Sequence, residues 1–226
     1  MATVTDSTTP RTTVERSAPA RILLHGIPWE LYERLRDEKS NWGIRMAYSD
    51  GDLELMSPSQ SHGEIEWRFG LFLMELARSL GFKCKPLGNT TWKKPGVKKA
   101  KDADGAYYLA NFEKVRHKKI DLNLDPPPDL AIEAAISRSA LNSLSLYAEI
   151  GVPEIWRFDG EAFQIHLRQA DGSYLEADRS RALPFLYPEE VVYWMTKAEE
   201  EDDDAEWLQR VNAWARDELA ARIERR

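Results

Sequence analysis

The chain has 226 residues, is 42% apolar, contains eight tryptophans and carries a formal net charge of −7. Such a length can bury one sizeable core, and the acidic balance excludes a uniformly basic nucleic-acid coat while leaving room for a local basic patch. No apolar run reaches the length of a membrane span, and the single cysteine, Cys84, rules out an internal disulfide, so a cytoplasmic protein without membrane association is expected.

Residues 1–20 are rich in Ser, Thr, Pro and Arg with almost no large apolar side chains, which predicts a disordered leader. The main domain is expected over 21–197, followed by an acidic linker and an amphipathic helix over 198–226. Residues 21–25 fit a short edge strand. Pro28, then Trp29, Leu31, Tyr32 and Leu35, fit a covering helix. Asp50-Gly51 between alternating segments predicts a hairpin over 43–48 and 52–56, whose second strand puts Glu54 on the face opposite Leu53 and Leu55. A long helix then runs to Leu80, with Ser61 and Glu64 spaced as a capping box and Gly81 as its stop. His62 sits in its first turn, where a lone histidine is more often a surface or capping residue than a ligand.

Lys93, Lys94, Lys98, Lys99 and Lys101 follow within a few residues of Trp92. In an acidic chain, this local basic concentration is a candidate phosphate-contacting surface, set against the plainer reading of a solvated loop face. Residues 102–109 alternate as a strand that places Asp102, Asp104, Ala106 and Tyr108 on one side. Three prolines, Pro126 to Pro128, then introduce a strand with Leu130, Ile132, Ala134 and Ile136 on one face and Asp129, Ala131, Glu133 and Ala135 on the other. An ionised carboxylate in so apolar a strand needs a hydrogen-bonding partner, a counter-charge or a metal. A helix over 137–150, a strand over 152–158, two hairpin strands and a short helix near Glu189–Met195 complete the domain. The last helix, from Ala205, carries Trp207, Leu208, Val211, Trp214 and Leu219 on one side, a face suited to the body of the molecule or to a second copy in a homodimer.

The fold class expected is α+β (α/β), a mixed sheet flanked by helices. Helix, strands, acidic strand, Glu-bearing strand, helix and strand follow in the order of the αβββαβ restriction-endonuclease-like core of the PD-(D/E)xK nucleases. Four stretches resemble the Uma-type restriction endonuclease family of that superfamily: Asp50 to Pro58 followed by His62, Asp102-Ala103-Asp104, Pro128 to Glu133, and Tyr147 to Trp156. The resemblance implies that Asp104 and Glu133 coordinate Mg²⁺, with Mn²⁺ as an alternative, and that Glu54 and His62 lie near the metal with Asp129 at the mouth of the strand. Asp129 and Glu133 are roughly 13 Å apart along one strand at ~3.3 Å per residue, so Asp104 is the better partner for Glu133. Two positions depart from the pattern: the motif lysine two residues after Glu133 is Ala135, and the proline before Asp104 is Ala103. Lys101 and Arg138 are substitutes by position.

The resemblance implies a Mg²⁺-dependent endonuclease acting on DNA, with Asp104, Glu133, Glu54 and His62 as catalytic residues and the lysines of 93–101 on the backbone. The alternative is a catalytically impaired nuclease-fold module that binds nucleic acid or protein, which Ala135 favours. A glycosidase built on Glu54 and Glu133 ranks below both.

Overall fold

The structure, a computed structural model, describes residues 19–88, 90–135, 139–201 and 203–224. Almost all of the leader and Arg138, one of the two substitutes for the motif lysine, lie outside the described residues.

Strand β1 (Ala20–Leu24) and helix α1 (Trp29–Asp37) lead into the hairpin of β2 (Arg45–Ser49) and β3 (Asp52–Ser57). Asp50 and Gly51 have φ of 50° and 101°, the left-handed pair that a two-residue hairpin turn needs. Helix α2 (Gln60–Leu80) ends on Gly81 at φ 75°. Its cap is Ser59 rather than the expected Ser61, because the helix already begins at Gln60 and the Ser59 hydroxyl accepts the His62 N–H.

β4 (Lys85–Pro86), β5 (Thr90–Lys94), β6 (Lys99–Ala103) and β7 (Gly105–Tyr108) follow. The continuous strand predicted over 102–109 is broken at Asp104. β6 belongs to a five-stranded sheet of order β1-β3-β2-β6-β5, while β7 pairs with β4 in a second sheet. Gly105 marks the break, since a Cβ there would lie 3.1 Å from the Tyr107 ring. Asp102 and Asp104 therefore part company. Asp102 turns to Arg36 at 2.6 Å and the Met46 N–H at 2.8 Å, and only Asp104 reaches the junction of the two sheets.

After the short helix α3 (Phe112–Val115), β8 (Leu130–Ala134), α4 (Ser143–Ile150) and β9 (Glu154–Phe158) form a βαβ unit, whose strands make the one parallel pairing among the described residues. α4 starts later than predicted, with Asn142 as its cap. β10 (Phe163–Arg168) and β11 (Tyr174–Ala177) extend the second sheet, of order β11-β10-β9-β8-β7-β4.

α5 (Pro188–Glu200), α6 (Asp204–Trp214), a π-helical turn (Ala215–Leu219) and α7 (Ala220–Glu224) close the chain. The largest core lies between α2, one face of the second sheet and these last helices, where Phe69, Phe72, Ile132, Trp156, Trp194 and Trp207 pack. Leu130, Ile132 and Ala134 point into it, as the period-two pattern predicts, and Ala131 faces a second cluster containing Trp92 and Tyr147. Trp207, Val211, Ala215 and Leu219 are buried within the same chain, with Leu208 and Trp214 partly buried beside them, so this face of the last helices packs on the body. No helix among the described residues is long and apolar enough to cross a membrane.

Candidate active site

The junction of the two sheets gathers charged side chains from four elements. Asp104, at the break between β6 and β7, is buried, and its Oδ2 accepts the Ala134 N–H at 2.9 Å. Carrying the β7/β8 register one step beyond the Gly105–Ile132 pair sets Asp104 across from Glu133. The other oxygen, Oδ1, lies 2.9 Å from His62 Nε2 and 3.7 Å from Arg45 Nε. Burial works to raise the Asp104 carboxyl, but the His62 hydrogen bond and charge, Lys101 and the Ala134 amide outweigh it and hold the group below its ordinary value. An ionised carboxylate only accepts, so His62 donates from Nε2. Its Nδ1 is left buried and without a partner among the described residues.

Glu66, four residues after His62, lies on the same face of α2 one turn further on, and its Oε2 accepts from Arg45 at 2.7 Å. Burial raises the Glu66 carboxyl, Arg45 opposes this and Asp104 adds to it, for a net rise. His62, Glu66 and Asp104 each offer a ligand atom, and all these atoms lie within 4.8 Å of one another.

Glu133 stands on the other side of Asp104. Its Oε1 receives the Tyr147 hydroxyl at 2.6 Å and lies 3.2 Å from Lys101 Nζ; Oε2 is without a hydrogen bond among the described residues. Lys101 comes from β6, in the other sheet. Desolvation pulls its pKa down, yet Glu133 and Asp104 more than restore it, so the ammonium stays charged across the neutral range. Burial, reinforced by Glu133, lifts the Tyr147 phenol well above its ordinary value and keeps it a donor. Lys101, one of the two positions named as substitutes for the motif lysine, thus lies against Glu133 from a strand of the other sheet. Arg45, Glu66 and Tyr147 were not singled out as site residues from sequence. The i, i+4 spacing of His62 and Glu66 was the local signal for Glu66, and Tyr147 opens one of the four stretches that carry the family resemblance.

The other predicted residues fall elsewhere. The Glu54 carboxylate is taken up by Arg21, by the Ser139 hydroxyl at 2.9 Å and by the Ala140 and Leu141 amides, which makes it the anchor of the loop that leaves β8. Asp129 accepts from the Leu109 and Asn111 amides at 2.7 and 2.9 Å and from Asn111 Nδ2 at 2.6 Å, so its oxygens are engaged in holding the end of β7. Nor do the lysines form one surface. Lys93 faces Asp37 at 3.3 Å, Lys94 bonds the Glu149 carbonyl at 2.6 Å, and Lys99 pairs with Asp50. Lys98 is exposed in a turn; Lys93 and Lys94 alternate to opposite faces of β5, and Lys101, on the same face of β6 as Lys99 but two residues nearer the sheet junction, lies against Glu133.

Carboxylate oxygens with one imidazole nitrogen form a donor set that fits a divalent cation, and three carboxylates here face two cationic side chains. A cation on His62 Nε2 would have to replace the proton now given to Asp104.

A mixed α+β fold of two sheets flanked by helices, with acidic residues from neighbouring strands meeting at the sheet junction, is consistent with the restriction-endonuclease-like class. The Uma2 family model, described as "Putative restriction endonuclease", matches residues 29–197, and the chain belongs to that family. A comparison with curated proteins gave no match.

Proposed function

We propose that the chain is a divalent-metal-dependent endonuclease that hydrolyses phosphodiester bonds of DNA. What carries this reading is Lys101 lying against Glu133 beside Asp104, which assembles from two sheets the acid, acid and lysine set that the superfamily motif draws from one region of chain. Asp104 and Glu133 would hold Mg²⁺, whose preference is for carboxylate oxygen, and the imidazole beside Asp104 admits Mn²⁺ as well. Bound there, the cation would supply Lewis-acid stabilisation of charge developing on the phosphate.

The chain's own groups do the rest. Lys101, held charged, acts as a fixed positive group that orients an attacking water and the phosphate, and it is not a proton acceptor at neutral pH. Tyr147 and His62 each donate to one carboxylate and fix its direction. Arg45 bridges Asp104 and Glu66. Glu54 acts as a positioning residue through the loop after β8.

A catalytically silent binding module is the second reading. Ala135 in the motif position favours it, together with the low exposure of Asp104 and Glu133, 4% and 8%. Supercoiled DNA incubated with the protein in Mg²⁺, Mn²⁺ or EDTA separates the two. Nicking by the wild type in metal alone, lost in Asp104→Ala and Glu133→Ala, is the expected result; equal behaviour of all three proteins would leave only the binding module.

A further inference from the structure

Helix α2 has a second stripe beside its core-facing one. Gly63, Glu66, Trp67 and Gly70 repeat at three- and four-residue steps and, with Asp104 and Tyr107, line a groove of about 450 Å³. This is the size range of small-molecule sites, and the groove ends on the carboxylates of the candidate active site. Trp67 is 64% exposed. Each helix glycine costs about 1 kcal/mol against alanine, yet neither is demanded by internal packing. A Cβ on Gly63 would meet nothing within 4 Å, and one on Gly70 would make ordinary contact with the Tyr107 hydroxyl at 3.8 Å. The bare floor leaves room for something outside the chain.

Charge decides what that is. Among the described residues no lysine or arginine lines the groove, and its polar end consists of Glu66 and Asp104, so a phosphate is repelled and a neutral, flat, partly apolar group is favoured. Glu66 Oε1 has no hydrogen bond among the described residues, which leaves an acceptor for an amino group. Arg36, Arg45 and Lys93 line a separate cleft of about 570 Å³, together with Asp37 and Asp102.

Resting on the nuclease reading above, we infer that the α2 groove is a nucleobase subsite, in which the base of a nucleotide next to the scissile phosphate stacks on Trp67 and offers its amino edge to Glu66. A base in a duplex stack cannot enter it, so the substrate class is single-stranded or locally unpaired DNA.

The test is a fluorescence-anisotropy titration of the full-length protein, without divalent metal, against a labelled single strand, the same strand bearing abasic sites, and the matched duplex. Cleavage in Mg²⁺ and sedimentation are measured separately. The single strand should bind more tightly than the other two. Trp67→Ala and Gly63→Leu should each weaken its binding about tenfold, bringing it down to that of the abasic strand, while Trp67→Phe retains most of it. Because the space at Gly63 is open and leucine favours a helix, Gly63→Leu should keep or raise the thermal midpoint, which separates a blocked groove from a misfolded chain. Variants that bind like the wild type, or intact and abasic strands that bind alike, overturn the subsite. So does a loss of self-association with unchanged binding, which would make the groove a contact between copies. Base-dependent binding without cleavage upholds the subsite and defeats the nuclease reading, and cleavage unaffected by both variants does the reverse.

Discussion

Lys101 and Glu133 stabilise each other in surroundings that would penalise either alone. Removing one member of a buried pair leaves an uncompensated charge, so Lys101→Met should lower unfolding stability by about 3 kcal/mol. Adding Glu133→Gln should recover most of that loss without recovering cleavage, and urea unfolding of the three proteins measures it. Asp104 gives a pH signature. Its carboxyl ionises below the ordinary value in the folded chain, so the unfolded chain takes up the proton first as pH falls. The stability it contributes is whole above ~pH 4, near the usual aspartate value, and is lost progressively below it. Asp104→Asn should therefore show a shallower loss of stability between pH 5 and pH 3 than the wild type; equal slopes would show that the carboxyl is not held low.

Strand β8 and helix α2 were legible from apolar period alone, since both bury one face and their side chains repeat at two and 3.6 residues. The bend at Asp104 was not. Asp102, Asp104 and Ala106 alternate as if the strand were continuous, and only Gly105 hinted that the backbone turns there to clear the Tyr107 ring. Glu54 and Asp129 were legible as carboxylates on or at the mouth of a strand but not in their burial or use, because a carboxylate accepting loop amides and one awaiting a metal have the same pattern in sequence. Glu54 ties β3 to the loop beyond β8. Glu54→Ala should thus cost about 1–3 kcal/mol, from amides left without an acceptor, and speed hydrogen exchange at Ala140 and Leu141. Unchanged exchange there would remove it as the loop's anchor.

At the scale of the whole molecule, two sheets that share one crossing point bring a lysine from the first beside an acid of the second, a contact that spans 32 positions of chain, from Lys101 to Glu133. Spacing alone could name Lys101 as a substitute but could not place it. The last helices belong to the same architecture, with Trp207 wholly buried, its Nε1 donating to the Trp194 carbonyl at 2.9 Å. Trp207→Ala should cost about 3–5 kcal/mol with no change in sedimentation, whereas a helix that served a dimer would dissociate it. The most direct measurement is the single-turnover cleavage rate of Lys101→Ala and of the double variant Lys101→Ala/Ala135→Lys, with DNA binding measured alongside. The first should cleave at least about 100-fold more slowly with binding nearly unchanged, and the second, which returns the lysine to the strand of Glu133, should regain much of the rate. Wild-type cleavage by Lys101→Ala would contradict the claim that a lysine from the neighbouring sheet completes this active site.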